Sequence, residues 1–231
     1  MFIPLWRKLI FQCMIATISA DIVRSTSLKT NDLINLRKGL RRLLDDIEKN
    51  HPGFWARIVR GDSIECVVPQ YRCALRIAVL IKLYVKMQAD NFDCHTFLQR
   101  YGIRFSIGIA DINYENRYED IINGPAIYMS GRNLDEISRK DIYTAIEIDG
   151  APVVINNMLD SYVALLNNLM DTYSAKQAEV IFYKILGYKE IEISQTLGIS
   201  QAAVNMRSTG AQWGLVNTAI KDFEMIGFEN I

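Results

Sequence analysis

Two aspartates, Asp21 and Asp62, are the residues whose type and position best suit chemistry in this chain. Asp21 ends an apolar run that begins at Met14, and burying an ionised carboxylate without a partner would cost several kcal/mol. We therefore expect Asp21 to have a cationic partner, a set of donors or an exit to solvent. Asp62 closes the tripeptide Arg60-Gly61-Asp62 between two short apolar runs. If the two strands are neighbours, the two carboxylates meet at the strand ends. Such a pair of acids is typical of a Mg²⁺ or Mn²⁺ site for phosphate chemistry.

Each acid also has a purely structural explanation. Gly-Asp is a favoured turn pair, so Asp62 taken alone is explained by the turn that it occupies. Asp21 taken alone is explained as a residue that hydrogen-bonds the loop after its strand. Both explanations stay open, because the sequence does not show whether the two strands are neighbours.

The elements that would position the two acids alternate between strand and helix patterns. Apolar, β-rich runs predict strands, and apolar residues at a helical period predict helices. The resulting order β-α-β-β-α-β matches the ferredoxin-like unit, so the predicted fold class is α+β. The predicted strands are 14–23, 54–59, 64–68, 103–112 and 143–148, and the predicted helices are 27–50, 71–89 and 125–137.

The helix predicted over residues 71–89 carries charges within its apolar pattern. Lys82 and Lys86 are four residues apart, so they share one side of a helix. We expect one apolar face and one charged face. The apolar run 74–87 is also too short and too charged to span a bilayer.

The character of the chain changes after Gly150, and everything that follows is helical in pattern. We predict four parts: an N-terminal appendage at 1–13, an α+β domain at 14–150, a connecting helix at 151–172 and a helical domain at 173–231. Within the appendage, Arg7 and Lys8 precede an apolar stretch, as in a signal peptide. Polar residues interrupt that stretch, so we favour Met14 as an alternative start.

Composition argues against several kinds of site and partner. The 231 residues have a formal net charge of zero, which gives no general attraction to nucleic acid or membrane. Eight acidic and five basic residues make the segment 155–231 net −3. The four cysteines show no paired spacing, which predicts reduced residues of a cytoplasmic protein. Two histidines are too few to predict a histidine-based metal site.

The segment 174–216 holds a second signal, two helices joined by a tight turn. Ser194 is small enough for close helix packing, Gly198 can adopt the left-handed conformation, and Ser200 can cap the next helix. With Val204 facing the core, the second helix would present its polar face to a DNA major groove. The predicted DNA-binding residues are Lys189, Ser200, Gln201, Ala202, Asn205 and Arg207.

A helical bundle with this turn can also serve protein contacts alone. The net charge of −3 favours that alternative, since phosphate contacts through Lys and Arg normally supply most of the affinity for DNA. A dimer would compensate by doubling the contacts with DNA. DNA and a protein partner therefore both remain candidates for this part of the chain.

Four segments, taken in this order, resemble class III nucleotide cyclases. They are residues 21–26, 60–62, 104–109 and 124–132, and the resemblance covers roughly residues 14–150. It implies a cyclase-like domain in which Asp21 and Asp62 hold two metal ions over a nucleoside triphosphate. It also implies that Arg132 neutralises charge in the transition state and completes the site of a partner subunit, hence a homodimer. Taken singly, Arg132 is equally well explained as a surface arginine of a helix.

The same resemblance assigns further positions around the nucleotide. Tyr128 stands where these cyclases have an Asn that orients the ribose, so it takes a catalytic position with a different side chain. Ile58 and Ile121 lie near the positions of the residues that select the base, which leaves the base unassigned. The residues implied in nucleotide binding are Ile22, Arg24, Ser25, Thr26, Arg60 and Gly61.

Taken whole, the chain resembles the SatD family of bacterial proteins, and its helical end resembles the helix-turn-helix of sigma-region-4 and response-regulator proteins. The resemblance implies a cytoplasmic protein encoded beside membrane proteins, and thus a functional link to a membrane protein. The residues that carry it are 18–23, 61–62, 108–112, 124–126 with Arg132, and 197–204.

Two functions from different classes follow from these patterns. In the first, a cyclase-like domain binds a nucleotide with Mg²⁺ and thereby controls a DNA-binding dimer. In the second, the protein is an enzyme that converts a nucleoside triphosphate to a cyclic nucleotide and pyrophosphate, and the helical domain dimerises or localises it. A transcription factor with a ligand-free front domain ranks third, because such a domain has no use for Asp21 in an apolar strand.

Overall fold

The computed structural model describes residues 14–59, 61–92, 95–111, 114–116, 121–140 and 142–227. The N-terminal segment 1–13 and Arg60 lie outside the described residues, and so do their predicted roles. None of the helices in these ranges is long and apolar enough to cross a membrane.

A five-stranded sheet forms the centre of the molecule, in the order β2-β3-β1-β4-β7. Neighbouring strands are antiparallel except β4 and β7, which are parallel. Two short strands, β5 and β6, pair separately as a hairpin. The strands are β1 (Ile15–Ile22), β2 (Trp55–Val59), β3 (Ser63–Val68), β4 (Ile103–Ala110), β5 (Tyr114–Asn116), β6 (Ile121–Asn123) and β7 (Thr144–Ile148).

Nine α-helices accompany the strands in the described ranges, so the architecture is mixed α+β, as predicted at that level. Short 3₁₀ turns lie at Ser25–Ser27, Tyr71–Cys73 and Ala89–Asn91. The helices are α1 (Thr30–Asn50), α2 (Ala74–Met87), α3 (His95–Tyr101), α4 (Pro125–Arg139), α5 (Val153–Asp171), α6 (Ala175–Ile185), α7 (Glu190–Leu197), α8 (Gln201–Gly210) and α9 (Trp213–Met225).

Alternate residues of β1 point to opposite faces of the sheet. Ile18 and Ala20 belong to the main hydrophobic core, together with buried leucines of α1 and α2. Thr17 and Ser19 face the other side, where both hydroxyls hydrogen-bond the Ser130 hydroxyl of α4, at 3.0 and 2.8 Å. The sheet therefore has helices on both faces, and Asp21 lies on the face that carries α4.

The close approach of α4 depends on Gly108 in β4. A Cβ at that position would lie 2.4 Å from the carbonyl oxygen of Ala126 and 2.9 Å from the amide nitrogen of Ser130. Any larger residue would push α4 away from the sheet and break the hydroxyl contacts beneath it.

The sequence patterns predict the main strands and helices within a few residues of their observed bounds. They miss the hairpin of β5 and β6 and the short helix α3. The prediction that Lys82 and Lys86 form a charged, exposed face of α2 is wrong, because both side chains are fully buried. Their amines instead hydrogen-bond main-chain carbonyls at the end of α3, including those of Tyr101 and Arg100.

The C-terminal helices pack on α2 and share one hydrophobic core with the sheet. Two ion pairs cross this junction. Lys82 meets Asp171 at the end of α5 at 2.8 Å, and the Arg76 guanidinium donates to both carboxylate oxygens of Glu224 in α9, at 2.6 and 2.9 Å. The boundary predicted near 150–172 stays a prediction, with α5 as the element that spans it.

Side chains of neighbouring helices satisfy main-chain groups on both outer strands of the sheet. On β7, the Ile146 amide donates to Asp160 of α5 at 2.7 Å, and Asn156 bonds both the amide and the carbonyl of Ile148. On β2, the Arg41 guanidinium of α1 donates to the Ala56 carbonyl at 3.3 Å.

Candidate functional site

Asp21 lies at the end of β1 and is held by a cation from the neighbouring strand. Asp21 is paired in register with Arg104 of β4. The guanidinium donates to both carboxylate oxygens, through Nε at 3.2 Å and through a terminal nitrogen at 2.8 Å. Both side chains are about one-fifth exposed, at 22% and 19%. The cationic partner expected for a carboxylate in an apolar strand is therefore Arg104.

Asp62 reaches the same end of β1 from the turn between β2 and β3. Asp21 pairs with Ser63, the residue after Asp62. The Ile22 amide donates to the Asp62 carbonyl oxygen at 3.1 Å, which fixes the turn against β1. The two acids thus lie at adjacent strand ends, the placement that the sequence analysis required.

The turn that follows β1 supplies the third member of this group. Arg24 adopts a left-handed conformation, with φ of 53°, so the chain reverses sharply and enters a single 3₁₀ turn. Ser25 is buried and its hydroxyl donates to the Asp62 carboxylate at 2.5 Å, while Thr26 is exposed. The predicted nucleotide-binding residues Ile22, Arg24, Ser25 and Gly61 therefore lie around the two acids.

We asked whether these residues fit a divalent cation. Within the residues that the structure describes, no group of three or more His, Cys, Asp or Glu side chains could enclose a metal ion. Mg²⁺, however, is commonly bound by one or two protein carboxylates together with water and substrate phosphates. Asp21 and Asp62 fit that second arrangement, in which a phosphate completes the coordination. They do not form an all-protein site.

The two predicted catalytic residues on α4 lie away from the acids of their own chain. The Arg132 side chain is 59% exposed and pairs with Glu147 of β7 at 3.0 Å. Glu147 is two strands from β1 and level with Gly108, which pairs with Thr17. From the spacing between neighbouring strands and the rise per residue along a strand, Glu147 lies roughly 15 Å from Asp21.

Tyr128 is also exposed, and its hydroxyl donates to the Asn123 side chain at 3.0 Å. Neither α4 residue contacts the acids within one copy of the chain. Both are exposed on α4, which lies on the sheet face where Asp21 lies.

The C-terminal helices present the predicted DNA-binding residues in an ordered turn. Gly198 ends α7 with φ of 63°, a conformation that costs least for glycine. The Ser200 hydroxyl accepts the Ala203 amide at 3.2 Å and so caps α8. Val204 joins Val180 and Ile193 in a small buried cluster.

The exposed residues on the outer face of α8 are uncharged in the described range. Gln201, Ala202 and Asn205 are exposed, and so is Met206. Arg207 is half-buried. Burial raises the pKa of Glu179 in α6, and the charge of Arg207 partly opposes that rise. Lys189 is exposed at the start of α7, where its amide donates to Glu192. This surface offers few phosphate contacts.

Arg104 is the site residue that the sequence analysis did not assign. The sequence did indicate that Asp21 has a cationic partner, since a carboxylate in an apolar strand needs a nearby cation. The sequence could not identify the residue, because the partner depends on which strand lies beside β1 and in what register. Ser25 was assigned to the nucleotide, whereas the structure also gives it a direct bond to Asp62.

Comparisons with known proteins leave the family open. No family model matches the chain, and no curated protein matches it. Among solved structures, that of a bacterial light-regulated adenylyl cyclase is similar, with a TM-score of 0.39 and 16% identity, covering 58% of this chain and 75% of that chain. At this TM-score the similarity assigns neither a fold nor an activity.

Proposed function

We propose that this chain is a nucleotide- and metal-binding regulatory protein, in which a cyclase-like domain of ferredoxin-like topology controls a helix-turn-helix DNA-binding domain. The order β2-β3-β1-β4 supports the topology, because the first four strands are arranged as in a ferredoxin-like unit. The turn between α7 and α8, with its capped second helix, supports the helix-turn-helix.

The observation that carries the proposal is the placement of Asp21 and Asp62 at adjacent strand ends, beside the tight turn after β1. Two carboxylates there leave most of the ligand positions of Mg²⁺ or Mn²⁺ to water, so they bind the ion alone only weakly and more tightly when another group supplies oxygen ligands. A triphosphate supplies such oxygens, and when bound the metal would neutralise its charge. We therefore expect metal and nucleotide to bind together.

Arg104 can exchange its present anionic partner, Asp21, for a phosphate. In this structure its guanidinium satisfies both oxygens of Asp21. A phosphate is an equally good bidentate partner for a guanidinium. With nucleotide and metal bound, Asp21 would be a metal ligand, and Arg104 would pair with a phosphate oxygen and so keep an ionic partner.

DNA binding by the C-terminal helices is the less supported half of the proposal. The outer face of α8 lacks cations, so affinity would come from Lys189, the neutral side chains of α8 and a second copy. We expect binding to be weak and salt-sensitive. A protein partner for this face is the alternative that the same surface allows.

A second function, cyclisation of a nucleoside triphosphate, is favoured by one specific observation. Arg132 is exposed on the side of the sheet that carries Asp21, where a second copy of the chain could use it. In a homodimer it would neutralise charge on the phosphates held by the partner's two acids. Tyr128, on the same helix, would take the ribose-orienting position.

One experiment separates the two functions. Purified protein is incubated with ATP, GTP, CTP or UTP and Mg²⁺ or Mn²⁺, beside Asp21→Ala and Asp62→Ala, with the exposed Asp135→Ala of α4 as matched control. A thermal shift that needs both metal and one nucleotide, lost in the two site variants but kept in the control, supports the regulator. A cyclic monophosphate found by mass spectrometry supports the enzyme. Unchanged metal-dependent nucleotide binding in both site variants would refute both.

A further inference from the structure

A cleft of about 690 Å³ lies between α1, α2 and the end of α6, and neither Asp21 nor Asp62 lines it. Its floor is made of buried apolar side chains from all three helices, among them Leu43, Leu80 and Ile185. The volume is in the range of small-molecule sites, which are mostly apolar with a few convergent polar groups. Because α1 and α2 cover the sheet while α6 begins the C-terminal bundle, an occupant would touch both parts of the chain.

Aromatic side chains form much of the wall. The rings of Tyr84 on α2 and Phe182 on α6 are tilted with centroids 6.0 Å apart. Tyr188, in the turn after α6, is 44% exposed and lines the opposite rim. Flat, polarisable surfaces of this kind favour an aromatic occupant.

Most charges that line the cleft are already paired within the protein. Arg76 gives its guanidinium to Glu224 and to the Ile185 carbonyl. Asp46 is bound by Lys49 at 2.7 Å. Arg42 is the exception among the described residues that line the cleft, since its guanidinium makes no ionic or hydrogen-bonded contact with another described residue. Arg42 is therefore the arginine of the cleft lining that no carboxylate of the described residues contacts.

The Tyr84 hydroxyl, on a half-buried side chain, is a second polar group that lines the cleft. The Tyr84 hydroxyl rests against α1 at Gly39, so closely that a Cβ on Gly39 would lie within 1.9 Å of it. Gly39 and Arg42 are three residues apart and thus neighbours on one helix face. Glycine in a helix interior is less favourable than alanine, and here it makes room for the tyrosine.

We propose that this cleft binds a small aromatic carboxylate, with its ring against Tyr84, Phe182 and Tyr188 and its carboxylate on the Arg42 guanidinium and the Tyr84 hydroxyl. The site goes beyond the proposed function, because it is independent of Asp21 and Asp62. Its occupant joins α1 and α2 to α6 and so changes how firmly the C-terminal helices are held on the sheet domain.

The test is calorimetric titration of the full chain with 1-naphthoate and with the neutral isostere 1-naphthamide. Arg42→Gln removes the charge at the cleft, and Lys38→Gln, an exposed cation on another side of α1, is the matched control. A charge-assisted hydrogen bond lost from a half-open site predicts about tenfold weaker binding. We expect that loss for Arg42→Gln and for 1-naphthamide, and an unchanged Kd for Lys38→Gln.

Hydrogen–deuterium exchange then locates the ligand. Saturating 1-naphthoate should slow exchange around residues 39–51 and 182–188 in the wild type. Absence of binding to the wild type, equal affinity in Arg42→Gln and Lys38→Gln, or protection elsewhere only would each overturn the proposal. Because both substituted side chains are exposed, neither variant should impair folding.

Discussion

Charged side chains are buried or half-buried in two regions of the molecule, and their partners differ between the two regions. At the end of β1, Asp21 and Asp62 are held by a guanidinium and a hydroxyl, and Asp21 stays about one-fifth exposed. Between α2 and α3, Lys82 and Lys86 are completely buried. Their amines bind main-chain carbonyls of α3 and, for Lys82, the Asp171 carboxylate.

This difference separates exchangeable charges from structural ones. A partly exposed acid paired with a side chain can trade that partner for a metal ion without disturbing any helix. A fully buried amine bound to the last carbonyls of a helix cannot move without leaving those carbonyls unpaired. Burial of charge alone therefore does not identify a functional site, and the nature of the partner does.

The largest expected effect is on the lysine cluster. Lys82→Met leaves the Asp171 carboxylate, whose side chain is 11% exposed, without its cation and removes the donor to the Tyr101 carbonyl. Breaking a buried ion pair by removing one partner costs about 3–5 kcal/mol. We expect a loss of that order in the free energy of unfolding, measured by urea denaturation. The exposed Lys38→Met on α1 should change it by less than about 0.5 kcal/mol; an equal loss in both variants would contradict the structural role.

The next effect is a pH dependence from Lys86. Burial, reinforced by the charge of Lys82, lowers its pKa from 10.5 to about 7. Between these values the unfolded chain binds more protons than the folded one, so the free energy of unfolding rises with pH. Lys86→Met lacks this rise. The wild type should therefore gain about 2 kcal/mol relative to the variant between pH 7 and pH 9. A constant difference across that range would show that Lys86 is not held neutral by the fold.

A smaller effect is expected when the exchangeable pair is broken. Arg104→Gln frees both oxygens of Asp21, so Mn²⁺ should bind without nucleotide about tenfold more tightly than in the wild type, equivalent to about 1.4 kcal/mol. Electron paramagnetic resonance of unbound Mn²⁺ measures this directly. Arg57→Gln is the matched control, because Arg57 pairs with Glu65 on the same sheet at similar exposure. Equal gains in both variants would indicate only a change in overall charge.

The smallest effect is expected at Ser25. Ser25→Ala removes the hydroxyl that donates to Asp62, and a hydrogen bond of this kind contributes about 1 kcal/mol. We expect a loss of that size in the free energy of unfolding without nucleotide. The loss should shrink when nucleotide and metal are added, because the metal then satisfies the Asp62 carboxylate. Thr26→Ala, exposed in the same turn, should keep the wild-type free energy of unfolding when nucleotide is absent. A loss that persists with ligand would make Ser25 purely structural.

The strand positions and the turn that holds Asp62 could be predicted from the sequence, because both depend on local signals. Alternating or fully apolar runs predicted β1 to β4, and the Gly61-Asp62 turn fixed the hairpin of β2 and β3. The partner of Asp21 could be expected as a cation, but Arg104 could be identified only once β4 lay beside β1. Register between strands distant in sequence is not a local property.

The error at α2 has a related cause. Helical periodicity places Lys82 and Lys86 on one side of the helix but does not say what covers that side. Here α3 and the end of α5 cover it with carbonyls and a carboxylate, which makes burial of two amines tolerable. A pattern read from one helix cannot include groups that another helix supplies.

The side chains that bond β2 and β7 restrict how copies of this protein can associate. Outer strands normally offer unpaired main-chain groups that recruit another strand, in ordered dimers as in amyloid. Arg41, Asn156 and Asp160 occupy such groups on the two outermost strands. A continuous ten-stranded sheet between two copies would have to displace them first. A symmetric dimer should therefore form through helices or through the sheet face that carries Asp21. The same contacts protect both edges of the sheet against fibril growth.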